Sequence, residues 1–561
     1  MASLAYEGDS NKETLIYLLI TLVHGDTLLR TDILVIGGGA AGLRAAIEAK
    51  RRGMKVKLAS KAPIGYASST LYAGGGFRAA IGNYCKGTHF KETVIGGKHL
   101  NDQELVWKLV REAPDRLAEL ESFGVSIKFG EKGISVSNGL LTPGKGLVSP
   151  MAYYAQKLGV DFIEGVMAID LLFNDFVYGV IFFDIRKGRI FPILSKAVVL
   201  ATGGYSQLLA RNDNPVRVSG DGCAMALRAG VHLIDLEFIQ FYPLGLAEEG
   251  EVGFHFPTVF GRLVNNLGED VLVKYGFNKP LSKVKVENRD MLSRVMWNEI
   301  LNGKGFNKAL LIDLTNISYE NFLKYLSSRA YACARHLTRH PNFNPFKIKV
   351  APTAHFTMGG IKINVDCETN IPGLFACGEV SSGVHGANRL GGNALTEAIV
   401  FGSRAGYNAG KWAGIIDHRI IDTSYINKVK NIISCFKNGK SSIIELKKRL
   451  KNEMWEKCGL IRNKEKLSEL LDFIRENKGL FKEVYAKNNF NVMEAFELQN
   501  MFELAEAVVI SALYREESRG AHFRSDFPES RDEVWLKRLE IKKPKDELLV
   551  NILPVTRKMS C

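Results

Sequence analysis

A chain of 561 residues exceeds what one hydrophobic core usually supports, so two or three domains are expected, and 46% hydrophobic with 24% charged residues excludes disorder. The formal charge of +14 fits a nucleic-acid surface, an anionic membrane face or attraction of anionic substrates. Basic residues are scattered, and no aromatics are interleaved with clusters such as Lys447, Lys448, Arg449 and Lys451, which argues against nucleic acid and reads as solvated surface.

Taken in order, residues 1–30 read as a loosely attached extension. Their apolar run, residues 15–23, is shorter than the ~20 residues a bilayer span needs. Acidic Glu7, Asp9 and Glu13 precede it, and no small-residue cleavage site follows. From Thr31 the pattern is strand (32–36), glycine turn (37–42), helix (through Ala46, Ala49 and Arg52) and strand (55–58). Residues 197–201 read as a second buried strand entering Thr202-Gly203-Gly204, and residues 373–377 as a third entering Gly378-Glu379; the three are expected to share one sheet. The lysine-rich text of 246–350 suggests an inserted domain that splits 31–245 from 351–410. Residues 411–516 carry helical periodicity, with Leu446, Leu450, Met454, Met493, Phe496 and Phe502 on packed faces. Polar residues 517–561 look like an ordered tail lying over a surface.

The eight cysteines contain no C-x-x-C pair. A disulfide framework is therefore not expected, nor a thiolate set for an iron–sulfur cluster or zinc within this chain.

The G-x-G-x-x-G at Gly37, Gly39 and Gly42 lies between a strand and a helix, the context in which such glycines, with Ala41, let backbone and helix N-terminus approach a pyrophosphate. In isolation it would be only a turn. A standard NAD site ends its second strand in Asp or Glu, whereas here it ends in Ala59, Ser60 and Lys61, which disfavours NAD. The turns Ala201-Thr202-Gly203, Ser219-Gly220-Asp221-Gly222 and Gly378-Glu379 are weak singly. Together they suggest a long ligand threading several loops of one sheet, as FAD does. His355 and Arg389, each in a glycine-rich stretch flanking Gly378-Glu379, read as a clamp for a carboxylate, because Arg offers a planar fork and His a further donor. No metal is expected, since no H-E-x-x-H or carboxylate-rich spacing accompanies the histidines.

These phrases, with Ser68-Ser69-Thr70 before Gly74-Gly75-Gly76, residues 237–243, Arg289-Asp290, Leu390-Gly391-Gly392-Asn393 and residues 517–522, resemble the flavoprotein subunit of succinate dehydrogenase and fumarate reductase, a family that includes L-aspartate oxidase. The resemblance runs from about Asp32 to Lys537. It implies an α/β fold with a Rossmann-type FAD-binding domain, an inserted α+β capping domain and a C-terminal helical domain. It also implies that Arg289 delivers a proton to the substrate, that His355 and Arg389 grip one carboxylate, and that hydride passes between flavin N5 and the neighbouring carbon. The cofactor contacts carried over by position are Ser60, Lys61, Ser68, Ser69, Thr70, Gly75, Gly76, Asp221, Glu379, Arg389, Asn393, Ala394 and Leu395. An iron–sulfur subunit is the implied partner, and the implied location is cytoplasmic or peripheral on the inner face of the cell membrane through a complex.

Three departures stand out. Ser69 occupies the position of a histidine that the dehydrogenases attach covalently to the flavin, so FAD is expected to be non-covalent. Tyr242 stands where the family has a histidine at the other carboxylate. The stretch expected to read Thr-Glu-x-x-Arg-Gly-Glu-Gly is rebuilt over residues 253–260, with His255 and Thr258 as replacements. The leading expectation is a fumarate reductase or succinate dehydrogenase type enzyme; the alternatives are an L-aspartate oxidase and a flavin-binding subunit with a degenerate substrate site.

Overall fold

Ile33, Leu34 and Val35 have no exposure in the strand Leu29–Ile36, as a parallel strand covered on both faces requires. The computed structural model describes residues 29–136, 143–247, 260–326, 344, 346–420, 424–545 and 547–557. Within these, Leu29–Ile36 pairs in parallel with Val56–Ser60 on one side and Arg189–Leu200 on the other. Leu374–Ala376 joins the far side of Arg189–Leu200 through Val198, Val199 and Leu200. The three strands expected to share a sheet therefore do so, inside a sheet of seven. Helix Ala40–Arg51 follows the first strand, and the long helix Asn393–Ala413 packs on it. Glycines make that close packing possible: a Cβ at Gly402 would lie 2.7 Å from the Ala41 carbonyl oxygen, and one at Gly406 2.2 Å from that of Ala45. This is the strand, turn and helix arrangement of a Rossmann-type sheet, whose ligands bind beyond the carboxyl ends of the strands.

A second, antiparallel sheet runs Ile239–Leu246, Lys347–Thr357, Leu310–Asp313, Arg262–Val264. Its first two strands bracket the segment read as inserted, and register shifts at Gln240/Phe241 and Tyr242/Gly245 bend the pairing beside His355. Residues 248–259, 327–343 and 345 of that segment, with His255 and Thr258, lie outside the described residues. Among the described residues no helix is long and apolar enough to cross a membrane.

Helices Ile443–Cys458, Lys464–Asn477 and Asn489–Tyr514 form the expected helical region. Two cations of the cluster read as solvated turn inward instead. Lys447 donates to Glu497 at 2.8 Å and Lys451 to Gln207 at 2.7 Å, and burial pushes the Lys451 ammonium down to about 8.

The segment from Glu517, read as a surface-lying tail, also differs. Arg515, Glu517 and His522 have no exposure, and Lys537–Lys542 enters a five-stranded sheet between Leu233–Ile234 and Leu549–Pro554. Charge complementarity drives this: Arg515 Nε donates to Glu237 Oε1 at 2.5 Å, and Arg515 and Arg519 share Glu517 at 3.1 and 2.7 Å. Paired charges can occupy an interior from which a single one is excluded. Arg515→Ala, which leaves Glu237 uncompensated, is expected to lower unfolding free energy by about 3–5 kcal/mol. Denaturant unfolding measures it, and a loss below about 1 kcal/mol would contradict the assignment.

Candidate active site

The first turn is built by backbone proximity. Gly37 sits at φ +120, where a side chain is strained, and a Cβ there would lie 2.2 Å from the Ala201 carbonyl oxygen. A Cβ at Gly42 would lie 1.9 Å from the Gly37 carbonyl oxygen, so strand, turn and helix can close only without side chains at these two positions. Beyond them opens a cavity of about 460 Å³.

Its walls collect nearly every loop the sequence singled out: Gly37, Gly39 and Ala41; Ser60 and Lys61; Ser68, Ser69, Thr70, Gly75 and Gly76; Ala201, Thr202, Gly203 and Asp221; and Gly378, Glu379, Ala394 and Leu395. The expected cofactor can be tested against them. Ser68 Oγ and Thr202 Oγ1 are buried on this wall without a hydrogen-bond partner, while Gly38 and Gly39 bring backbone free of side chains to the wall at the N-terminus of helix Ala40–Arg51. Orphaned hydroxyls beside an N-terminal turn suit an extended polar ligand carrying phosphates, as FAD is.

Lys61 lines the cavity, but its ammonium is occupied by protein: Asp221 at 2.5 Å, Glu497 at 2.7 Å, the Arg217 carbonyl at 3.0 Å and Ser219 at 3.2 Å. Glu497, from the long helix Asn489–Tyr514, also binds Lys447. Against the cost of burial, the two lysines hold the Glu497 carboxyl below the usual glutamate range. A carboxyl depressed in the folded state stabilises fully above its unfolded pKa, and that contribution fades as pH falls below about 4.3. Wild type should therefore exceed Glu497→Gln in stability near neutrality, with the gap shrinking below about pH 4 in parallel unfolding titrations.

Two guanidinium groups face the other end. Arg289, from helix Arg289–Leu301, donates from Nη1 to Gln240 Oε1 at 2.7 Å. Gln240 Nε2 in turn donates to the Arg389 carbonyl at 3.0 Å and to Asn388 Oδ1 at 2.6 Å, so one amide fixes both arginine-bearing segments. Both Nε atoms are buried without a partner. Burial, then the Arg289 charge, pushes Arg389 down to about 9; burial lowers Arg289 as well. Two desolvated cations that repel each other and line one cavity are an arrangement that an anion between them would stabilise.

His355 completes this end. It lines the cavity, its Nδ1 lies 2.6 Å from Asp213 Oδ2, and Asn214 Nδ2 donates to its carbonyl at 3.1 Å. Ser69 Oγ donates to Asn214 Oδ1 at 2.9 Å, linking the Ser68–Thr70 wall to the histidine. Burial pushes Glu379 up to about 7, although its Oε1 accepts from the Thr357 backbone N–H at 3.0 Å.

Three residues expected at the site do not line it. Gly42 acts through close packing. The Asn393 side chain is held by His89 at 2.9 Å and Thr93 at 3.0 Å. Tyr242 is buried with its ring 5.6 Å from that of His355 and 5.9 Å from the Arg289 guanidinium. Sequence reasoning missed Asp213, Asn214 and Gln240, whose only signal is polar side chains in otherwise apolar or turn-forming text.

Two family models match the chain: the FAD binding domain over residues 32–395, and the fumarate reductase flavoprotein C-terminus over residues 447–560. The chain is 38% identical over 536 residues to an uncharacterized FAD-dependent oxidoreductase of Methanocaldococcus jannaschii, covering 92% of this chain and 96% of that protein. It is 32% identical over 534 residues to a fumarate reductase (CoM/CoB) subunit of Methanothermobacter marburgensis, covering 90% and 96%. Among solved structures, an E. coli quinol fumarate reductase chain carrying a Glu-to-Gln mutation superposes with a TM-score of 0.86 at 29% identity, over 95% of this chain and 98% of that one. The chain belongs to the flavoprotein family of fumarate reductases and succinate dehydrogenases, and it is an oxidoreductase whose cofactor is FAD.

Proposed function

We propose that this chain interconverts an unsaturated and a saturated small carboxylate of the fumarate and succinate type, as the flavin subunit of a larger complex. The observation that carries the reading is the arginine pair with orphaned Nε atoms in the same cavity as the glycine turn. Bound FAD supplies two-electron exchange with the substrate carbon. The chain supplies the rest. Arg389 and His355 grip one carboxylate, and Arg289, held by Gln240, presents a proton. An arginine can serve as an acid only where it is desolvated and promptly re-protonated, and burial has already lowered this one. Ser68, Ser69, Thr70, Thr202 and Glu379 would hold the cofactor without a covalent link, since a serine hydroxyl at position 69 offers no ring nitrogen for one.

The absence of any C-x-x-C pair supports an iron–sulfur protein in the role of electron partner, with membrane association through such partners. The FAD-loaded chain is expected to oxidise a reduced low-potential dye in a fumarate-dependent manner. No turnover with fumarate, with peroxide formed from aspartate, would transfer the assignment to an amino-acid oxidase.

A further inference from the structure

Asp213 is a carboxylate in the wall of the cavity that Arg289, Arg389 and His355 also line. The chain has locked it there. Asp213 N donates to the Ala354 carbonyl at 3.1 Å and Ala354 N to the Arg211 carbonyl at 3.0 Å, so its loop runs alongside the strand that bears His355. The carboxylate side chain is only 5% exposed, against 24% for the imidazole, and the two meet at 2.6 Å. Asn214 ties both residues together, donating to Asp213 Oδ1 at 3.3 Å and to the His355 carbonyl at 3.1 Å.

We propose that Asp213 is a positioning residue that stores one proton with His355 and yields it to the imidazole when a carboxylate binds. The inference rests on the carboxylate reading of the pocket given above. Around the pair stand Arg289 from helix Arg289–Leu301, Arg389 from the loop ahead of helix Asn393–Ala413 and Tyr242 from strand Ile239–Leu246. Glu379 and Glu397 act on it through Arg389. Burial pushes the Asp213 carboxyl well above its ordinary range and His355 well below, and the two arginines oppose a further proton on the ring. With the carboxyl held up and the imidazole held down, the one proton shared across the 2.6 Å contact rests on Asp213, and the pair carries no net charge. A substrate carboxylate beside the ring reverses the preference. Its negative charge favours imidazolium, and the proton crosses from Asp213 Oδ2 to His355 Nδ1. The number of bound protons is unchanged; the grip on the substrate becomes charge-assisted.

Calorimetry on the FAD-loaded chain with succinate, in two buffers of different ionisation enthalpy, tests this between about pH 6 and 8. Wild type should bind without net proton uptake and with an affinity nearly independent of pH. In Asp213→Asn the proton must come from solvent, so uptake should approach one, and affinity should fall up to about tenfold per pH unit. Asp213→Glu should restore the flat profile. Proton uptake by wild type, or an Asp213→Asn affinity that is weaker but equally flat, would overturn the stored proton and leave Asp213 a packing residue. Failure of wild type to bind succinate or fumarate at any pH would instead remove the carboxylate reading itself.

Discussion

Arg289→Ala is expected to lower turnover by on the order of a thousandfold while the protein keeps its flavin, because general acid catalysis typically contributes about 10²–10⁴-fold. The side chain sits between Gln240 and the cavity rather than among the phosphate-side turns. Its removal leaves Gln240 Oε1 without its donor, a cost of roughly 1–3 kcal/mol that the fold can absorb. Arg289→Lys keeps the charge but not the planar fork, so it should recover only a small part of the rate. Steady-state kinetics beside flavin content measures the effect, and a variant with full flavin and near wild-type rates would remove Arg289 from the chemistry.

The second large effect concerns the cofactor. Gly37→Ala places a Cβ 2.2 Å from the Ala201 carbonyl oxygen, at a φ of +120 that side chains rarely adopt. The strain alone is worth about 1–3 kcal/mol, and relieving the clash requires the two central strands to part at the turn that faces the cavity. The purified variant is expected to be colourless, or to lose flavin on gel filtration, with activity lost in proportion. Flavin absorbance per protein reports this directly; a stoichiometric yellow protein would show that the turn does not carry the cofactor.

Much of this architecture was legible in the residues. The run Ile33 to Ile36 into Gly37 announces its strand and turn because a buried parallel strand is apolar throughout, and a backbone approaching another within contact distance admits only glycine. The sharing of one sheet by residues near 35, 199 and 375 followed from each strand ending in a small-residue turn. What escaped the sequence depends on partners distant along the chain. Glu517 reads as part of a surface-lying tail until Arg515 and Arg519 meet it in the interior. Lys447 and Lys451 read as part of a surface cluster until Glu497 and Gln207 meet them. Asp213 gave little signal, since a carboxylate between two asparagines is ordinary turn text; only the strand beside it turns it into half of a pair with His355. Asn393, placed at the cofactor by the family resemblance, has its side chain held instead by His89 and Thr93.

The account depends on flavin and carboxylate occupying one cavity. The most direct measurement is a difference spectrum of the oxidised FAD-loaded chain titrated with fumarate and with succinate, for wild type and Arg389→Ala. The expected result is a saturable perturbation of the flavin bands in wild type, weakened at least about tenfold in Arg389→Ala, as loss of a charge-assisted bidentate contact requires. A flavin spectrum indifferent to both acids, or a perturbation equally strong in the variant, would contradict it.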